Sequence, residues 1–299
     1  MKTFSWPRHV RANDKVCDPA VGESAEDNFI EVGGLRLECA AFGAAPDERL
    51  TLVLLHEGLG SVKLWRDFPQ KLQAATGCGV FVFSRSGYGE SDACDLPRPL
   101  DYMTREATDV LPQVLEAVGI QQCVLIGHSD GASIAAINAG SVEDHRVRGL
   151  VLMAPHFFTE PFALEAIADA KRAYDSADLK SRLTKYHKHV DVAFRGWNDA
   201  WLAAGFKEWN VSDVIDYIRV PVLAIQGEQD QYGSIAQIDE IEKRLSAPME
   251  RCLLANCQHA PHLEQAALCL ASIKSFIARL LRMENQQSGL HPDPVGTGT

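Results

Sequence analysis

Short apolar runs recur along this chain, each followed by a polar loop and, in most cases, by residues at helical spacing. Leu52–Leu55, Val80–Phe83, Cys123–Ile126, Val147–Ala154 and Val222–Gln226 read as strands, of the kind buried on both faces where apolar residues run without alternation. Val62–Ala75, Thr104–Val118, Ala132–Ala139, Ser234–Leu245 and Leu263–Met283 read as helices, with Pro112 set to kink the second. Arg251–Leu254 reads as a further strand, and Phe29–Val32 with Leu35–Ala41 as a hairpin turning at Gly33-Gly34. Strands alternating with helices build a largely parallel sheet with helices packed on it, an α/β fold. The rhythm lapses over 155–218, which has helical spacing, several aromatics and no clear strand. The expected organisation is an irregular segment over 1–28, a core over 29–155 and 213–283, an inserted helical cap over 156–212 and a mobile tail over 284–299.

Ligands of such sheets gather at the carboxyl ends of the strands, so the residues after each strand carry the functional signal. After Cys123–Ile126 stands Gly127-His128-Ser129-Asp130-Gly131, opening a helix. A serine at that sharp turn holds its Oγ clear of the sheet. Glycines at 127 and 131 let strand and helix approach closely, and the helix N-terminus points N–H groups at developing negative charge. After Leu52–Leu55 comes His56-Glu57-Gly58-Leu59-Gly60-Ser61, a loop able to set a backbone N–H beside Ser129. With the N–H of Asp130, the N–H of Gly58 or Leu59 makes an oxyanion hole, each donor worth about 3 kcal/mol. After Val222–Gln226 comes Gly227-Glu228-Gln229-Asp230, and after Arg251–Leu254 comes Asn256-Cys257-Gln258-His259-Ala260-Pro261-His262. Serine needs a base to become a nucleophile, imidazole suits neutral pH, and a carboxylate orients it. Asp230 and His259 supply that pair in the order Ser, Asp, His; Glu160 is a rival acid and His262 a rival base.

Together with Ser84-Arg85-Ser86-Gly87-Tyr88-Gly89-Glu90-Ser91, these stretches resemble the α/β-hydrolase superfamily, in its compact form with a helical cap, over about Phe29 to Met283. The resemblance implies a mostly parallel central sheet flanked by helices, the nucleophile at Ser129, the acid at Asp230 and the base at His259, with no metal or organic cofactor. Haloalkane dehalogenases and epoxide hydrolases of this superfamily use aspartate at the elbow, and Ser129 argues against both. Three positions depart from the common pattern. The usual His-Gly pair is here His56-Glu57-Gly58; Asp130 is acidic where an apolar residue is more usual; and Gln258 stands where glycine often precedes the histidine.

The expected activity is a serine hydrolase acting on a small carboxylic ester. Carbon–carbon hydrolysis of ring-cleavage diketones is an alternative, for which Arg85 is the candidate carboxylate anchor; acyl transfer and non-enzymatic ligand binding are others. The aromatics of the cap mostly pack it onto the core, and one or two line a pocket; Trp197 and Trp201, four apart on one helical face, are the candidates. Glu57 and Asp130 either form an acidic rim with Asp230, disfavouring anionic substrates unless Arg85 offsets it, or point away on local hydrogen bonds. The 29 basic against 40 acidic residues, a net charge of −11, disfavour nucleic acid. No apolar run is long enough for a membrane span, and no signal-like apolar segment opens the chain. The eight cysteines, Cys17, Cys39, Cys78, Cys94, Cys123, Cys252, Cys257 and Cys269, are scattered without a Cys-x-x-Cys pair, and read as reduced packed thiols of a cytoplasmic protein. The expected partner is a small-molecule substrate. Oligomeric state stays open, a homodimer included.

Overall fold

Six strands of this chain run parallel and two form an antiparallel edge, in one eight-stranded sheet among the described residues. A computed structural model describes residues 29–46, 49–176 and 178–288, so the expected N-terminal segment lies outside it. The antiparallel hairpin is β1 (Phe29–Val32) and β2 (Leu35–Phe42). The parallel strands are β3 (Thr51–Leu55), β4 (Gly79–Phe83), β5 (Cys123–His128), β6 (Val147–Met153), β7 (Val222–Gly227) and β8 (Met249–Leu254). Their spatial order is β1-β2-β4-β3-β5-β6-β7-β8, which is the mostly parallel α/β sheet expected from the sequence.

Both faces of this sheet are buried, which is why its central strands are apolar without alternation. Leu52, Leu54, Val80, Val82, Val124 and Ile126 face helices α1 (Phe68–Thr76) and α10 (Ala266–Ser288), through Phe68, Leu72, Ile273 and Phe276. Val53, Leu55, Phe81, Phe83 and Leu125 face the other way. They meet α2 (Tyr102–Arg105), α3 (Leu111–Val118) and α4 (Asp130–Ser141) through Met103, Val114 and Ile134. Each such side chain removed from water contributes roughly 1.5–3 kcal/mol.

Three expected helices are broken differently from their sequence pattern, each near a proline. Val62–Ala75 splits into a 3-10 turn, Val62–Trp65, and α1, whose first turn holds Pro69; Arg66 between them takes φ 54°. A π-helical turn, Glu106–Val110, separates α2 from α3 and delivers Pro112 to the start of α3, where its missing N–H costs nothing. The last helix begins as α9 (Pro261–Glu264) and resumes as α10, which runs to Ser288 rather than stopping at Met283; residues 289–299 lie outside the described residues.

Between β6 and β7 the chain forms α5 (Pro161–Asp175), α6 (Asp178–Leu183), α7 (Val190–Trp201) and the 3-10 turns Ala204–Glu208 and Ser212–Tyr217. An isolated bridge between Phe158 and Asn210 ties the two ends of this excursion together. Helix α8 (Ala236–Arg244) then links β7 to β8. Among the described residues no helix is long and apolar enough to cross a membrane, and the described cysteines are unpaired.

Candidate active site

The loop between β5 and α4 is the tightest turn of the sheet. Ser129 takes φ 53° and ψ −121°, and its N–H is held by the carbonyl of Met153 at 2.9 Å on the neighbouring strand. A β-carbon at Gly127 would press into the main chain of Gly131 and Ala132, and one at Gly131 into the carbonyl of Leu55. The two glycines are therefore required by a close approach of strand and helix, as their spacing predicts. Asp130 is the first residue of α4, so its N–H has no acceptor within the helix.

Asp230 follows β7 and His259 follows β8. The Nδ1 of His259 lies 2.9 and 2.8 Å from the two oxygens of Asp230. Asp230 Oδ1 also accepts the N–H of Tyr232 at 2.7 Å, and Oδ2 accepts Gln226 Nε2 at 2.8 Å. Burial works against the charge of Asp230, but its bonds to His259 and the main chain hold its carboxyl below the usual range. With Nδ1 engaged, the other nitrogen of His259 is the one left for a reacting group.

Ser129 and His259 line the same cavity, of about 160 Å³, with Glu57, Gly58, Leu59, Asp130, His156, Ala163, Ile167, Trp197, Trp201 and Tyr232. The turn over Glu57–Gly60 is closed by the N–H of Gly60 on the carbonyl of Glu57 at 3.1 Å, and its central N–H groups, Gly58 and Leu59, stand inside that turn. His187, from the segment before α7, pins the loop. Its Nε2–H donates to the carbonyl of Leu59 at 3.0 Å, and its Nδ1 accepts the N–H of Gly89 at 3.0 Å.

Arg85 requires a correction. It is 1% exposed, and its guanidinium donates to the carbonyls of His56 at 2.5 Å and Glu57 at 3.0 Å. It braces the underside of the Glu57 loop and does not line the cavity, so it is no carboxylate anchor. Asp130 sends its carboxylate away from the cavity too: one oxygen accepts the hydroxyl of Tyr102, which in turn accepts Trp201 Nε1 at 3.0 Å. Burial raises the pKa of that carboxyl, with Arg85 offsetting part of the rise. Glu57 lines the cavity as well, without a bond to Tyr102. Its Oε2 lies 3.5 Å from His128 Nδ1. Burial opposes its charge, yet the contact with His128 carries its carboxyl well below the usual range.

The rival residues are engaged elsewhere. His262 packs on Trp65 and Phe68 at ring distances of 4.8 and 5.5 Å, and burial pushes it down to about 3. Glu160 accepts Ser234 N–H at 3.0 Å, its hydroxyl at 2.6 Å and Gln237 Nε2 at 2.8 Å, clamping the turn before α8. Trp197 and Trp201 both reach the cavity, backed by Phe194, Phe206 and Trp209. Sequence reasoning gave no place to His187, Tyr102 or Tyr232, and no role of its own to His156. Buried histidines and tyrosines leave no spacing signal, because their partners are remote in the chain. Among the described residues no group of three or more His, Cys, Asp and Glu side chains is arranged to hold a metal ion.

The family model described as the alpha/beta hydrolase family matches residues 52–271. A proline iminopeptidase of Lactobacillus delbrueckii subsp. bulgaricus is 27% identical over 279 residues, spanning 81% of this chain and 94% of that protein. Epoxide hydrolase 4 of Mus musculus is 31% identical over 163 residues, 52% of this chain and 43% of that protein. Among solved structures, the enol-lactonase of Burkholderia xenovorans LB400 superposes with a TM-score of 0.64 at 17% identity, covering 85% of this chain and 99% of that one. An esterase from Exiguobacterium antarcticum does so with 0.67 at 16%, covering 84% and 99%. At those identities the two structures show a shared fold.

Proposed function

The chain belongs to the alpha/beta hydrolase family, and from that premise we propose that it is a serine hydrolase cleaving a small carboxylic ester through an acyl-enzyme. One observation carries this reading: a serine at φ 53° shares a cavity with a histidine whose Nδ1 is held 2.8 Å from a buried carboxylate. Ser129 Oγ attacks the ester carbonyl while His259 takes its proton. The N–H groups of Asp130 and of Gly58 or Leu59 receive the oxyanion. His259 then returns the proton to the departing alcohol. Water attacks the acyl carbon, His259 accepts its proton and passes it to Ser129 Oγ, and the carboxylic acid leaves.

The walls set the substrate's size and charge. A cavity of about 150 Å³ admits a group the size of benzene, so a volume of about 160 Å³ suits a short acyl chain or a single ring. Leu59, Ile167, Trp197 and Trp201 make it largely apolar, and the ionised Glu57 disfavours anionic substrates. Arg85's commitment to two carbonyls removes the support for a diketone-acid substrate. The epoxide hydrolases among the relatives belong to a group with aspartate at the elbow, where this chain has Ser129.

The test is a panel of short aryl esters, thioesters, ring-cleavage diketones and an N-terminal proline arylamide. The last belongs there because a proline iminopeptidase aligns along 81% of the chain. We expect ester turnover, labelling of Ser129 by a fluorophosphonate, and a fall in kcat of about 10⁴-fold or more in Ser129→Ala with the fold retained. Near-native esterase activity in Ser129→Ala, or turnover of the arylamide or diketone alone, overturns the reading.

A further inference from the structure

The buried histidines differ in what their rings touch. His56 donates through Nδ1 to the carbonyl of Glu57 at 2.7 Å and accepts the N–H of Arg85 at 3.0 Å. His187 is engaged at both nitrogens, and His128 donates to the carbonyl of His259 at 2.7 Å while facing Glu57. His262 is sealed between Trp65 and Phe68. His156 is different. It follows β6, is 3% exposed and lines the cavity, yet among the described residues no hydrogen bond reaches its ring. Only its main chain is held, its carbonyl and its N–H both meeting Ser133 Oγ, at 2.6 and 3.1 Å.

The place of that ring is well defined. It stands edge-on to Trp201 at 5.2 Å and lies 5.8 Å from the ring of His259. Buried polar side chains are nearly always hydrogen-bonded within the protein. A few polar groups set in an apolar pocket orient the ligand. An unpartnered imidazole on a cavity wall, one ring away from the base, therefore marks where a ligand atom sits. Two other polar groups of the wall are engaged with Tyr102, Trp201 Nε1 as its donor and one oxygen of Asp130 as its acceptor, while Ser129 Oγ and the second nitrogen of His259 are reserved for the reaction.

Chemistry narrows the ligand atom. Burial pushes His156 down to about 3, so at neutral pH its ring is uncharged, with one N–H donor and one bare nitrogen. It carries no charge to attract an anion, and the ionised Glu57 repels one. A hydroxyl can donate to the bare nitrogen or accept from the N–H, and a keto oxygen can accept. We propose that His156 is a specificity-determining residue that hydrogen-bonds a hydroxyl or keto oxygen of the substrate, within a few bonds of the scissile carbonyl. The substrate class is then a short-chain hydroxy or keto ester. This rests on the serine-esterase reading and sharpens it.

The experiment measures kcat/KM for phenyl esters of butyrate, 2-hydroxybutyrate, 3-hydroxybutyrate and 3-oxobutyrate, each divided by its hydroxide-catalysed rate. A second series carries the hydroxyl on the alcohol part. We expect at least one oxygenated ester to exceed its plain parent tenfold or more. That ratio should fall at least fivefold in His156→Phe, which keeps a ring, and return in part in His156→Gln, which keeps a donor and an acceptor. Ratios near one throughout, or a ratio that survives in His156→Phe, overturn the proposal. Wild-type ratios near one overturn it without any variant, and where His156→Phe does not fold, His156→Leu carries the same comparison. Failure of the underlying reading looks different: no ester is turned over and fluorophosphonate leaves Ser129 unlabelled.

Discussion

The floor of the cavity is main chain at the ends of strands, whereas its roof is side chains from the helices between β6 and β7. On the floor, Ser129 is fixed by its φ of 53° and a bond to Met153, and Asp230 by bonds to Tyr232 and Gln226. The roof is held by ring against ring: Phe194 stacks on Tyr174 at 3.7 Å, and Trp201 leans on Phe206 at 4.7 Å. Main-chain geometry has few alternatives, while replacing one packed apolar side chain by another of similar volume usually costs less than about 1.5 kcal/mol. On the serine-esterase reading, chemistry then falls to the rigid side and choice of substrate to the adaptable one.

The sharpest way to break this division lies in the two histidines after β8. His259→Ala should lower kcat by about 10³–10⁴-fold, since the base is lost, with little change in stability. His262→Ala should do the reverse. It empties the space between Trp65 and Phe68, so stability should fall by about 2 kcal/mol while kcat stays within tenfold. Steady-state rates and urea unfolding on the same samples separate the two. The opposite pattern would make His262 the base.

Two glycines extend the comparison. Gly131→Ala drives a methyl into the carbonyl of Leu55, which is main chain and cannot step aside. We expect a loss of about 3 kcal/mol or more, read by urea unfolding. Gly58→Ala meets the indole of Trp197 instead, a roof side chain. Its cost should be about 1 kcal/mol, with a shift in preferred acyl length as the ring is displaced. Equal losses at both positions would mean that the roof is as rigid as the floor.

The same division explains what could be read before any coordinates. The elbow is legible because its requirements are local. A strand that ends in Gly-x-Ser-x-Gly and turns into a helix needs those glycines at those positions, and Asp230 and His259 follow strands that announce themselves by apolar content. Helix boundaries were less legible where Pro69, Pro112 and Pro261 reset the start of a helix. The roof was legible only as a crowd of aromatics. Trp197 and Trp201 share a face, but so do purely structural pairs, and nothing local separates a ring that walls a cavity from one that backs it. Arg85 misled for a related reason. A lone arginine beside a predicted site looks like an anchor, and only the carbonyls of His56 and Glu57, 28 or 29 residues away, reveal it as a brace. His156 and His187 gave no signal because an imidazole's role depends on what reaches its nitrogens.

Floor and roof are joined by the chain Trp201–Tyr102–Asp130, which is buried throughout. Tyr102→Phe removes a donor from the Asp130 carboxylate and an acceptor from the indole. We expect unfolding free energy to fall by about 2 kcal/mol. Because the proposed mechanism uses the N–H of Asp130 and not its carboxylate, which is bonded to Tyr102, kcat should stay within tenfold. A larger fall in kcat with stability intact would move the Asp130 side chain into the chemistry.

The smallest effect asks how acid loosens the floor. His262 has its pKa lowered from 6.5 to about 3 by burial, so the unfolded chain takes up its proton first. The stability this histidine contributes is fully present above about pH 6.5 and is lost as pH falls toward 3. By pH 6 the loss is about 1 kcal/mol for one such group. His56, His156 and His187 are lowered in the same direction, whereas His128, raised by Glu57 against the cost of its burial, acts oppositely. Wild-type unfolding free energy should therefore drop between pH 7.5 and 6. In His262→Phe, which keeps a ring against Trp65 and removes the proton site, the drop should be smaller by about 1 kcal/mol. An identical drop in both proteins would show that His262 takes up its proton without loosening the fold, and that the acid-sensitive contacts lie with His56, His156 and His187.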